Sequence, residues 1–81
     1  MDNNSVNVYP NPVIGSGFNV LFANEGKNRK TELIDIHGSV IQTKMISGKA
    51  AFINTQGFTP GIYIIRINLE NTVVIKKLVI K

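Results

Sequence analysis

Apolar residues in this chain recur in short runs of β-branched and aromatic side chains, and almost nowhere at the spacing of a helix face. Gly, Pro, Asn and Ser punctuate the runs. This pattern predicts strands near Asn7–Tyr9, Phe18–Ala23, Arg29–Ile36, Ser39–Ile46, Ala50–Thr55, Ile62–Leu69 and Thr72–Ile80. Short strands with frequent turns predict an all-β sandwich or barrel. At 81 residues the chain makes one domain, spanning 1–81. A domain this small buries only about 60% of the surface its unfolded chain exposes, so its strands must pack closely.

Three turns are legible. Asp35-Ile36-His37-Gly38 carries Asp first and Gly fourth, as a type I turn prefers, and Gly38 can adopt the left-handed conformation that closes a bulged hairpin. That loop predicts Leu33 opposite Ile41, Ile34 opposite Val40 and Glu32 opposite Gln42. It also sets Lys30 against Lys44, a like-charge pair. A two-residue His37-Gly38 loop would instead place Leu33 against Gln42 and Asp35 against Val40, which is poorer cross-strand chemistry. Thr59-Pro60-Gly61 predicts a sharp bend before Ile62. Glu70-Asn71 predicts a tight hairpin with Asn71 in the left-handed region.

The ends of the chain are the unusual parts. Val8-Tyr9-Pro10-Asn11-Pro12 cannot be a central strand, because its prolines remove backbone donors. It reads as an edge strand entering a rigid loop, with the Tyr9 ring packed and its hydroxyl in water. The terminal run Val73-Val74-Ile75-Lys76-Lys77-Leu78-Val79-Ile80-Lys81 is apolar enough to be buried, yet carries adjacent lysines in its middle. A Glu70-Asn71 loop sets Ile67 against Val74, Ile65 against Lys76 and Tyr63 against Leu78. Tyr63, Ile65, Ile67 and Leu69 then form one apolar face, and Lys76 falls on it. A fully buried lysine is costly. Either a β-bulge shifts the later side chains, or the strand is an edge along which the lysine stem lies while its ammonium reaches water.

Nine Lys/Arg against five Asp/Glu give a net charge of +4, which informs on solubility and non-specific binding rather than on function. Asp35, His37 and Ser39 alternate, but the turn breaks their strand and nothing nearby supplies an oxyanion hole; His37 reads as a turn residue. A single His with scattered carboxylates offers no metal site, and no cofactor is expected. Gly15-Ser16-Gly17 lacks the spacing of a phosphate loop and reads as a flexible connection. No strand alternates aromatic with basic residues, so nucleic acid is not an expected partner. No apolar run approaches the roughly 20 residues of a membrane helix. Met1-Asp2-Asn3-Asn4 leads into no signal peptide, so an export signal is expected elsewhere on a longer protein, with Met1 added to an excised fragment.

"VYPNP", "DIHGSVI", "TPGIYIIRI" and "KKLVIK" occur in that order and end flush with the last residue. Together they resemble the type A C-terminal sorting domain of the Type IX secretion system (the Por secretion system) of Bacteroidetes. The likeness runs from Val6 to Lys81. It implies an immunoglobulin-like antiparallel β-sandwich of about seven strands. It implies a cargo address rather than an enzyme, with no catalytic residue: a domain that directs its cargo across the outer membrane. The implied partners are the outer-membrane translocon and its shuttle proteins, a cell-surface sortase that removes the domain, and an N-terminal cargo domain. The implied location is the periplasm in transit, then the cell surface or the medium. By position, Tyr9, Pro10, Asn11, Pro12, Gly38, Gly61 and Tyr63 match family motifs and read as structural. Lys76, Lys77, Leu78, Val79 and Lys81 form the terminal segment expected to be recognised, by strand addition at an exposed edge. The same edge would suit a strand-mediated dimer. The alternative is an immunoglobulin-like accessory or adhesion module that binds polysaccharide or protein.

Overall fold

A computed structural model describes residues 6–81, so the reading of Met1 to Asn4 lies outside the described residues. The apolar runs form β1 (Val6–Tyr9), β2 (Gly17–Phe22), β3 (Arg29–Ile34), β4 (Val40–Ile46), β5 (Ala50–Asn54), β6 (Gly61–Asn68) and β7 (Val73–Ile80). They assemble as a three-stranded sheet, β1-β2-β5, and a four-stranded sheet, β4-β3-β6-β7, with all strand pairs antiparallel. The expected immunoglobulin-like sandwich is present. Its fourth strand pairs with the third, whereas the constant-type arrangement places it in the other sheet.

Strand alternation supplies the core. Val20, Phe18 and Phe22 from β2 meet Ile65, Ile67 and Leu78 of the larger sheet, with Ile46 and Ile53 at the flanks, and all are buried. Tyr63, Ile65 and Ile67 form the predicted apolar face of β6, and Leu69 packs against it at the strand's end. The Tyr63 ring stacks on Phe58 at 6.1 Å, and its hydroxyl donates to the Thr59 carbonyl. This tie-back to the preceding loop is the device of the tyrosine corner in immunoglobulin domains.

The β3–β4 hairpin combines the two alternatives read from the sequence. The Asp35 carbonyl accepts the Gly38 N–H at 3.0 Å and Gly38 has φ +88°, so the predicted turn forms. Ile34 pairs with Val40 as expected for that loop, but Leu33 pairs with Gln42 and Glu32 with Thr43. Ile41 is the extra residue of a bulge, which shifts every later pair by one. Lys30 therefore lies opposite Met45, and the predicted contact with Lys44 is avoided. Lys44 points inward and its ammonium reaches the Phe52 carbonyl on the edge of β5 at 3.3 Å.

Two local readings are corrected. The β6–β7 loop has the predicted length, closed by a 2.8 Å bond from the Leu69 N–H to the Thr72 carbonyl. Asn71, however, keeps a negative φ, and the left-handed asparagine is Asn28 at φ 51°. Gly15-Ser16-Gly17 is not simply a flexible connection. Gly17 opens β2 and is buried, a Cβ there would strike the Ile53 carbonyl, and Ser16 accepts the Thr55 N–H at 2.8 Å.

On the outer face of the larger sheet Glu32 is nearly enclosed. Arg66 reaches one of its oxygens with two guanidinium nitrogens, at 2.7 and 2.6 Å, while Lys30 lies 3.8 Å from the other oxygen. Arg29 ties the β2–β3 and β4–β5 loops together. It donates to the carbonyls of Asn24 and Gly48 at 2.6 and 2.7 Å and covers the Phe22 ring at 4.0 Å.

Candidate functional site: the two chain ends on one sheet edge

β7 follows the predicted register without a bulge: Ile67 opposite Val74, Ile65 opposite Lys76, Tyr63 opposite Leu78 and Gly61 opposite Ile80. The strand is an edge of its sheet. Of the two ways to accommodate Lys76, the second holds. Its side chain lies on the core-facing side, half-buried beside Ile65, with the strand's open edge available to the ammonium.

The edge is only partly open. In an antiparallel pair the residues alternate between bonding to the neighbour and pointing away. The Leu69–Thr72 bond fixes that alternation, so the outward-facing backbone groups of β7 belong to Val73, Ile75, Lys77 and Val79, with Lys81 continuing the series. After Tyr9 the chain leaves the smaller sheet and crosses to this edge. The Asn11 carboxamide donates to the Lys77 carbonyl at 2.9 Å and accepts the Val79 N–H at 3.1 Å. Val13, fully buried, then donates to the Val79 carbonyl at 2.7 Å and accepts the Lys81 N–H at 3.1 Å, forming a parallel bridge with Ile80.

The predicted residues thus fall into distinct settings. Tyr9, Pro10, Asn11 and Pro12 are exposed, and Asn11 clasps the terminal strand. The Tyr9 ring is 48% exposed, so it is less packed than expected; it shares a row with Asn19 and the similarly exposed Phe52 on the outer face of the smaller sheet. Gly61 enters β6 at φ +154° and Tyr63 is core. Lys76 and Lys77 lie on opposite faces of β7, Lys77 exposed, and Lys81 is exposed beyond the strand. Leu78 is 0% exposed, its side chain packed in the core. Val79 is half-buried with its backbone held by Asn11 and Val13. The lysines do not converge into one patch. What the sequence did not reveal is the clasp, because Asn11 and Val79 stand 68 positions apart and no local pattern joins them.

The Asp35-His37-Ser39 group is held as a turn. One Asp35 carboxylate oxygen accepts the backbone N–H groups of His37 and Ser39 at 2.9 and 3.0 Å. A cleft of about 310 Å³ lies beside it, lined by that turn and residues 59–63. It brings together no nucleophile, base and oxyanion donors.

A model of the secretion system C-terminal sorting domain family matches residues 7–81. The chain belongs to that family. Its members are the sorting signals of Type IX secretion, and the domain's function is to serve as such a signal. It interacts with the Type IX machinery, and cargo carrying such a signal ends at the cell surface or outside the cell. None of the curated proteins compared with the chain matched it. No solved structure matched it either.

Proposed function

We propose that this domain is the folded C-terminal address of a larger secreted protein, and that it performs no catalysis itself. Its cargo lies N-terminal to it and crosses the periplasm before the domain meets the translocon and shuttle proteins. A cell-surface sortase then removes the domain. The two ends of the described chain support this arrangement. Val6 pairs with Phe22 beside the β4–β5 loop, whereas Ile80 pairs with Gly61 at the opposite end of the sandwich.

The observation that supports the proposal is the edge strand β7, open over its N-terminal half and carrying the exposed side chains of Lys77 and Lys81. Lys76, Lys77 and Lys81 are the contacting side chains. Leu78 and Val79 contribute by fixing the strand in place. The test replaces all three lysines by alanine in a domain fused to a periplasm-directed reporter. Export should fall while the domain keeps its cooperative unfolding. Unchanged export with an intact fold would remove the lysines from recognition.

A further inference from the structure

A sandwich of this kind has four sheet edges, and each must avoid indiscriminate pairing. β1 is a short edge that runs directly into Pro10. β5 is also short, and its Phe52 carbonyl is capped by Lys44. β4 carries the Ile41 bulge and the inward-pointing Lys44. The C-terminal half of β7 is closed by Asn11 and Val13. In the N-terminal half of β7 the one such device is the inward-facing Lys76, at the far end beside the clasp. From Val73 to Lys77 it is regular, without bulge, proline or glycine. Among the described residues nothing bonds the outward N–H and C=O groups of Val73 and Ile75. Their side chains are 49% and 62% exposed on the outer face.

We infer that the Type IX machinery adds an extended segment of its own to Val73–Lys77, and that the Asn11 clasp confines strand addition to that half of the edge. This rests on the sorting function proposed above. The open stretch is about 14 Å long, enough for a partner strand of about five residues. Chemistry along it specifies the partner. Positions opposite Val73 and Ile75 on the outer face should be apolar. The position opposite Lys77 should be acidic, because Lys76 and Lys77 stand on either side of the strand where the open stretch meets the clasp. Glu32, the acid on this face, is already engaged by Arg66 and Lys30.

The alternation of β7 makes the inference testable. The Ile75 N–H points away from β6, so Ile75→Pro removes a donor to the partner and no bond within the domain. Ile75→Lys changes only an exposed side chain to one that blocks edge pairing. Ile75→Thr keeps the donor and strand propensity and serves as control. Each is fused to a periplasm-directed reporter in a bacterium with a working Type IX system, after its unfolding has been measured. Ile75→Pro and Ile75→Lys should lower export about tenfold, the order expected from a lost backbone bond and disturbed register, and Ile75→Thr should not. Export of folded Ile75→Lys, or of folded Ile75→Pro, at the unmodified level would overturn the inference and leave the sorting function standing. Retention of the unmodified domain would overturn both. A purified domain that is dimeric, and made monomeric by Ile75→Lys, would assign the edge to a second copy of the chain instead.

Discussion

Asn11 accepts the Val79 N–H at 3.1 Å with one end of its carboxamide while the other end donates to the Lys77 carbonyl at 2.9 Å. A side chain thereby stands in for a strand, supplying the donor and the acceptor that a neighbouring backbone would offer. The opening and closing motifs of the chain are one structural unit. Proline at 10 and at 12 suits this role, since the segment needs no backbone donors of its own at those positions.

Asn11→Ala should cost about 1 kcal/mol, toward the low end for two hydrogen bonds because the site is exposed. In a domain of this size that lowers the thermal midpoint by roughly 4–8 °C. A melting curve superimposable on that of the unmodified domain would show that the clasp contributes nothing.

Neighbouring residues of β7 should respond in opposite ways. Lys76→Met keeps the stem against Ile65 and loses only a charge at the edge, so stability should change by no more than about 0.5 kcal/mol. Leu78→Ala empties a fully buried site and should cost about 2–5 kcal/mol. Denaturant titration separates the two, and comparable losses would mean that Lys76 is a core residue.

The Arg66–Glu32 pair predicts an asymmetry. Glu32 is the more enclosed partner. Arg66→Ala leaves its carboxylate with only the more distant Lys30 and should cost about 1–3 kcal/mol. Glu32→Gln retains an acceptor for the guanidinium and should cost less. The reverse order of unfolding midpoints would contradict this account of the outer face.

Much of this was legible in the sequence, for local reasons. The β6–β7 register followed from loop length and strict alternation, since a slip of one residue would have sent Ile65 and Ile67 into water. The β3–β4 register was half legible. Turn chemistry fixed the Ile34–Val40 pair, but the bulge at Ile41 sits on an exposed edge strand, where no buried face dictates register. Hairpin chemistry favours a left-handed Asn71, yet the conformation occurs at Asn28, whose N–H bonds the Ser47 hydroxyl. Gly17 reads as slack because Gly15 and Ser16 precede it, and only the approach of the Ile53 carbonyl explains it. For the candidate site, the sequence identified Lys76 as lying on the apolar side of an edge strand. It did not show that half of that edge is already occupied, because the occupant comes from the other end of the chain.

This domain should suffice as a Type IX address. Its most direct test places the unmodified domain at the C-terminus of a periplasm-directed reporter, in a bacterium with a Type IX system and in its secretion-null mutant. Reporter should appear at the surface or in the medium of the working strain and in the periplasm of the mutant. Equal periplasmic retention in both strains, with the reporter stable and the domain folded, would contradict it.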